Sequence, residues 1–178
     1  MKKRWILLLS VLLGLIILVV GLLVYIYPKE KLTMDYTRVQ YEEKFADIVR
    51  RLEPEIILNE SDINAIIKSN LDTQLNEQLV IEGAHFTVGD QKLYAKLNVK
   101  ALDAVRAELL AVYLIEWKEP ELKLIPVELK VKQVTLPTSV LKEIAIQIYD
   151  TNNAIVSVER LSTIGNELVI RLKFNLFR

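Results

Sequence analysis

The longest apolar run in the chain lies at its N-terminus, where residues 5–27 include no charged side chain. A helix of these 23 residues would rise about 34 Å, enough to cross the ~30 Å hydrocarbon core of a bilayer. Trp5, Tyr25 and Tyr27 lie near its two ends, where lipid headgroups would surround them, and Pro28 ends the helix. The pattern predicts a transmembrane helix, with the membrane as the partner of residues 5–27.

A cleaved signal peptide is the alternative interpretation of this run. Signal peptides have an apolar region of about 7–15 residues that ends in small side chains, whereas this run is longer and ends in Val24, Tyr25 and Ile26. We therefore expect an uncleaved signal anchor that passes the cell membrane once. Basic residues occupy positions 2–4, so the positive-inside rule predicts a cytoplasmic N-terminus and an extracellular domain from Pro28 onward.

Three parts follow from the remaining pattern. Residues 1–27 form the cytosolic start and the anchor, and residues 28–54 form a polar tether and a stalk helix. Residues 55–178 form the extracytoplasmic domain. The stalk helix is predicted because apolar residues recur at helical spacing before Pro54, namely at Tyr41, Phe45, Ile48, Val49 and Leu52.

Two amphipathic helices are predicted inside the domain. The first spans residues 58–71, with Asn59 and Asp62 at the spacing of a capping box and a stripe of Ile63, Ile66, Ile67 and Leu71. The second spans residues 135–149, with Pro137 in its first turn. Its apolar stripe consists of Val140, Leu141, Ile144, Ala145 and Ile148.

Alternating apolar and polar residues predict strands elsewhere. Residues 79–88 and 92–101 form a pair, and residues 121–136 form a strand whose phase changes at Pro126, as at an edge or a bulge. Residues 154–164 and 167–177 form a closing hairpin around Gly165 and Asn166. The predicted class is α+β, with one long, twisted antiparallel sheet packed on two helices.

Residues 104–117 fit two interpretations. Val105, Leu109, Val112 and Tyr113 would make a helical stripe, whereas the run from Leu109 to Ile115 is apolar on both faces of a strand. We favour the strand because its neighbours are strands and because Val, Tyr and Ile prefer pleated surroundings.

Composition narrows the range of functions. All 23 acidic residues lie beyond Pro28, together with all but three of the 23 basic residues, so the domain is mildly acidic and a poor candidate for nucleic-acid binding. With no cysteine and one histidine, His85, the chain lacks thiolate or poly-histidine metal sites and a Ser-His-Asp triad. His85 near Glu82 and Asp90 is more simply a half-exposed strand residue than a proton-transfer group. We therefore expect no enzymatic activity and no cofactor.

The positive signal is an excess of apolar surface. If residues 109–115 are apolar on both faces and helices cover one of them, sheet curvature or a ligand must cover the other. The predicted ligand groove lies between the helical stripes and this strand, lined by Ile66, Ile67, Leu109, Tyr113, Ile144 and Ile148. The alternative is a sealed core in which side chains fill the same space.

Two short stretches resemble the YpmS-like proteins of Gram-positive bacteria. They are Leu136-Pro137-x-Ser139-Val140-Leu141 and Asp62-Ile63-Asn64-Ala65, together with the N-terminal anchor. The resemblance implies a domain of uncharacterised function held outside the membrane, built like the tubular class of extracytoplasmic lipid-binding domains. It suggests a lipid or another amphiphile as ligand. The alternative is an accessory module that binds a protein partner in the cell-envelope machinery.

Overall fold

The computed structural model describes residues 2–37, 54–147 and 156–174. The predicted stalk helix, residues 41–52, lies outside these ranges. Helix α1 spans Lys2–Ile26, and its apolar side chains are exposed along its length because it projects away from the rest of the chain. It is long and apolar enough to span a membrane. Ile26, at its end, packs against the domain core.

One further helix is described, α2, at Glu60–Asn70. The predicted capping box is confirmed: the Asn59 side chain accepts a hydrogen bond from the Asp62 amide, and the Asp62 carboxylate accepts one from the Asn59 amide. These two bonds satisfy donors that a helix start otherwise leaves unpaired. The buried side of α2 carries Ile63 and Ile67.

The larger sheet has seven strands, all antiparallel. Its order is β2-β3-β4-β5-β6-β7, and β8 pairs with the first half of β6. The bounds are β2 Gln74–Asn76, β3 Leu79–Gly89, β4 Lys92–Ala101, β5 Val105–Lys118, β6 Glu121–Val131, β7 Val134–Thr135 and β8 Ile144–Gln147. Residues 104–117 are thus essentially a strand, as favoured. The predicted phase change at Pro126 is confirmed as a register shift, since Val112 pairs with Glu128 and Tyr113 with Pro126.

A second sheet of three strands contains both ends of the domain. Strand β10 (Glu167–Phe174) lies between β1 (Glu55–Leu58) and β9 (Val156–Ile164). The closing hairpin is confirmed, with Gly165 at a positive φ of 58° in its turn. The prediction of one continuous sheet was wrong. The chain instead folds two sheets around a shared core that includes Leu97, Leu129, Leu168 and Ile170.

The prediction of a second domain helix at residues 135–149 was also wrong. Its described part contains the last residue of β7, a short 3-10 turn at Thr138–Val140, and β8. Ile144 and Ile146 are buried while Ala145 and Gln147 are exposed, which is the alternation of a strand. The physical reason is the free edge of β6, whose residues Glu121–Leu124 supply backbone hydrogen-bond partners that an isolated segment lacks.

Candidate ligand groove

The seven-stranded sheet has two faces with different surroundings. Its inner face meets α2 and the smaller sheet and carries Leu93, Leu97, Leu109 and Tyr113, all buried. Its outer face carries the alternate residues of the same strands. We use these two terms throughout.

The five predicted groove residues that the structure describes occupy the inner side but do not line one cavity. Ile66 and Ile67 of α2 line an apolar cavity of ≈ 20 Å³ beside Leu93 and Ile146. That volume holds about one water molecule, whereas ligand pockets in proteins measure about 300–1,000 Å³. Side chains therefore nearly fill this part of the molecule.

Leu109, Tyr113 and Ile144 lie elsewhere in the core. Tyr113 and Ile144 line a separate recess of ≈ 90 Å³ at the end of α2, and Leu109 is 3% exposed on the inner face. Burial raises the pKa of Tyr113 to about 12, because the phenolate would lose its hydration. Ile148 lies outside the described residues.

A larger groove lies on the outer face, across β3, β4, β5 and β6. Its volume is ≈ 480 Å³, within the range of ligand pockets, and it is partly open to solvent. Tyr94 and Leu110, each 41% exposed, form the apolar floor of this groove. Val112 pairs with Tyr94 in the ladder between β4 and β5. We call it the outer groove; it is lined by His85, Thr87, Tyr94, Ala95, Lys96, Leu110, Ala111, Val112, Glu128 and Lys130.

Three cationic or titratable side chains lie on the rim, each beside a carboxylate. The Lys96 Nζ donates to Glu30 Oε2 over 2.8 Å, and Lys130 forms an ion pair with Glu128. His85 Nε2 lies 3.2 Å from Glu60 Oε1, so its partner comes from α2 rather than from Glu82 or Asp90. The His85 side chain is 43% exposed, which confirms the half-exposed strand residue expected from the sequence.

The rim is therefore nearly balanced in charge and rich in hydrogen-bonding groups. Lys96 lowers the pKa of Glu30 through a hydrogen bond and through its charge, and Glu30 in turn raises the pKa of Lys96. Both groups thus stay ionised over a wide pH range. Such a rim suits the polar end of an amphiphile, while the floor suits its apolar part.

A second, more polar recess adjoins the outer groove at His85. It measures ≈ 360 Å³ and lies between the N-terminal part of α2 and residues 35–37. Lys68 crosses it and donates from Nζ to the carbonyl oxygens of Thr33 (2.9 Å) and Asp35 (3.2 Å). Burial lowers the pKa of Lys68. Among residues 2–37, 54–147 and 156–174, no three His, Asp or Glu side chains lie close enough together to hold a metal ion.

The tether after α1 forms one side of this region. We call residues 28–37 the strap, because the chain crosses the outer face instead of hanging free. The Lys29 amide donates to Glu108 over 3.4 Å, and the Glu30 carbonyl accepts from Asn98 Nδ2 over 2.7 Å. Farther along, the Ala84 amide donates to the Thr33 carbonyl over 3.4 Å.

Buried polar groups lie where the strap meets the sheet. Glu108 and Lys132 form an ion pair at 3.3 Å, with side chains 12% and 14% exposed. Asn98 is 7% exposed, and its Oδ1 is buried without a hydrogen-bond partner. Unsatisfied buried polar atoms are rare in folded proteins, so the Asn98 Oδ1 is an exception at this junction.

The outer groove was not among the predicted sites, although one signal pointed to it. The run from Leu109 to Ile115 is apolar on both faces, and Leu110 and Val112 lie on the face that the core does not cover. Tyr94 adds to that surface from a strand whose outward residues otherwise look like a polar face.

Comparison of the chain with protein-family models, with curated proteins and with solved structures found no match.

Proposed function

We propose that the chain is a membrane-anchored, extracytoplasmic, non-enzymatic protein that binds a lipid or another amphiphile. The observation that carries the proposal is the outer groove, whose ≈ 480 Å³ combine an apolar floor with a rim of ion pairs. A ligand with an acyl chain and a polar head matches both parts. Helix α1 is long and apolar enough to span a bilayer, and that bilayer would be the nearest source of such a ligand.

The position of the ligand differs from the position expected from sequence. On the inner side, the cavity beside Ile66 and Ile67 is too small for an acyl chain. The outer groove has the volume, and the strap that leads from α1 forms part of its edge through Glu30 and Lys96. We therefore assign the ligand to the outer face. Membership of the YpmS-like family and likeness to tubular lipid-binding domains belong to the same proposal.

Substitutions at two neighbouring leucines distinguish the outer groove from the packed core. Leu110 is 41% exposed on the outer face, whereas Leu109 is 3% exposed on the inner face. We expect Leu110→Trp to fill the groove and to leave the melting temperature nearly unchanged. By contrast, Leu109→Trp should overpack the core at a cost of about 1–3 kcal/mol.

The direct test uses the full-length protein in vesicles that contain phosphatidylglycerol with a photoreactive diazirine in its acyl chain. After irradiation, mass spectrometry of peptides should find cross-links in β4 and β5 as well as in α1. Leu110→Trp should remove the β4 and β5 cross-links and keep those in α1. Ile164→Trp is the matched control, since Ile164 is 64% exposed in the other sheet and should change neither set.

Cross-links confined to α1 in the unaltered protein would contradict the ligand proposal. The alternative is then an accessory module that binds a partner of the cell-envelope machinery.

A further inference from the structure

One exposed leucine adopts a backbone conformation that leucine rarely adopts. Leu102 is 65% exposed at the tip of the β4–β5 hairpin, with a positive φ of 51°. The next residue, Asp103, has φ 57°, and the turn is closed by the Ala104 amide, which donates to the Ala101 carbonyl over 3.1 Å. Two positive φ angles in such a turn favour Asn, Asp or Gly, so neither burial nor backbone preference explains a leucine there.

The opposite end of the same strands provides an internal comparison. The β3–β4 hairpin turns through Asp90 and Gln91, which have positive φ angles of 50° and 57°. Both residues of that turn are polar, and Asp90 is of a type that turns with positive φ favour. These two described turns have nearly the same backbone angles, and of the two only the β4–β5 turn places a large apolar side chain in solvent.

The β4–β5 turn lies at the same end of the sheet as the end of α1. The side chain of Tyr27, just after α1, lies beside Arg106 and helps to raise the pKa of Arg106, after the larger effect of Glu82. Arg106 pairs with Lys100 in the ladder, and Leu102 lies two residues beyond Lys100. At about 3.3 Å per strand residue, Leu102 lies roughly 7 Å past the level of Arg106.

The course of the strap gives the direction of the membrane. After Tyr27 at the level of Arg106, the Lys29 amide reaches Glu108, and the Glu30 carboxylate reaches Lys96, which pairs with Leu110. From Tyr27 to Lys29 these contacts shift by two residues along β5 away from the β4–β5 turn, and beyond Glu30 the chain crosses the sheet to Gly83, which pairs with Asn98. With α1 in a bilayer, this course leaves the β4–β5 turn nearer to the bilayer than the β3–β4 turn at the other end of β4.

We propose that the β4–β5 turn is a membrane-contact site that inserts Leu102 into the lipid headgroup region beside α1. The partner is the surface of the bilayer that holds α1, not a second protein. This contact would offset the unfavourable backbone conformation of Leu102. It would also hold the domain in one orientation on the membrane. The proposal rests on α1 lying in a bilayer and is independent of any ligand in the outer groove.

The test uses the absence of cysteine from the chain. Full-length Leu102→Cys, Gln91→Cys and Val11→Cys variants are spin-labelled and reconstituted into vesicles of phosphatidylethanolamine and phosphatidylglycerol. Collision rates with oxygen and with a water-soluble nickel complex then report depth. We expect the collision rates to place the label at position 11 in the bilayer, the label at position 102 at the membrane interface and the label at position 91 in water. An aqueous signal at 102, or at both 102 and 11, would overturn the proposal.

A second variant separates membrane contact from folding. Leu102→Asn suits the positive φ better, so the melting temperature in detergent should stay the same or rise. In vesicles the same substitution should weaken the fixed orientation of the domain, measured as increased mobility of a spin label at Gln91→Cys. Unchanged mobility would show that Leu102 makes no contact with the bilayer, whatever the result of the lipid cross-linking.

Discussion

The carbonyl oxygen of Leu32 occupies the space into which a Cβ atom on Gly83 would project. Gly83 lies at a register shift between β3 and β4, so the strand bends where the strap crosses it. The adjoining bond, from the Ala84 amide to the Thr33 carbonyl, is the point where the strap joins the edge of β3. A glycine is needed here because of close backbone approach, not because of an unusual φ.

We predict that Gly83→Ala displaces the strap. The added methyl group would overlap backbone atoms that have no alternative rotamer, at a cost of about 1–3 kcal/mol to strap docking. Hydrogen exchange should accelerate at the Ala84 amide, and trypsin should cleave faster at Lys29 and Lys31. Gly89→Ala is the control, since its nearest atom would be a ring carbon of Tyr94 at 3.8 Å. Equal exchange in both variants would contradict the docking.

The pair of Glu108 and Lys132 should contribute more than a surface pair. Lys132→Met leaves the largely buried Glu108 carboxylate without its charged partner, and we expect the free energy of unfolding to fall by about 1–3 kcal/mol. The double variant Lys132→Met/Glu108→Leu should recover most of the loss. As a control, Lys118→Met breaks an exposed pair with Glu116 and should cost at most about 1 kcal/mol. Denaturant titration of the full-length protein in a non-ionic detergent measures all three.

Strand β8 can be distinguished from the helix expected at residues 135–149 by two adjacent substitutions. The helical stripe would bury Ala145 and expose Ile146, whereas the strand buries Ile146 and exposes Ala145. We therefore expect Ile146→Asp to destabilise the domain by about 3–5 kcal/mol, the cost of an uncompensated buried charge. Ala145→Asp should be nearly neutral, since the new carboxylate faces solvent beside Lys123. If Ala145→Asp lowered the melting temperature more than Ile146→Asp did, these residues would form the predicted helix instead.

Tyr113 should make the protein sensitive to alkali. Its folded pKa of about 12 exceeds the ordinary 10.0, so the folded state favours the neutral phenol. This stabilisation is complete below pH 10 and is lost as pH rises toward about 12, because the unfolded tyrosine ionises first. Tyr113→Phe should remove this part of the pH dependence, measured by denaturant unfolding at several pH values. An identical pH dependence in the variant would show that another group is responsible.

The orientation of the anchor is open to a direct measurement. We expect protease added to intact protoplasts to degrade the domain while an N-terminal epitope tag stays protected. Permeabilised protoplasts serve as the control and should lose the tag as well. Protection of the domain in intact cells, or a mature protein that begins after Tyr27, would contradict an uncleaved anchor with an external domain.

Where local pattern and final environment agree, the elements were predictable. Helix α2 was expected because Asn59 and Asp62 cap it and Ile63 and Ile67 recur on one face. Strand β5 was expected because its neighbours in the sequence are strands and because Val, Tyr and Ile prefer pleated surroundings. The hairpin turn at Gly165 was marked by a residue that accepts a positive φ.

The segment after β7 shows where local pattern was not enough. Leu141, Ile144 and Ala145 fit a helical stripe, yet Ile144 and Ile146 equally fit a strand, and nothing within the segment distinguishes the two. The choice depends on whether the edge of β6 is free to accept another strand. That condition is set by residues 121–124, more than fifteen positions earlier, and by the overall course of the sheet.

Amino-acid pattern alone determined the N-terminal apolar helix, the start of α2 and the strand character of β3 and β4, because each depends on contacts within a few residues. Tertiary structure decided the division into two sheets, the docking of the strap on Gly83 and Asn98, and which face of β5 carries a groove. These features depend on which surface another part of the chain covers. Leu109 and Leu110 are adjacent and chemically identical, and only packing made one a core residue and the other the floor of a groove.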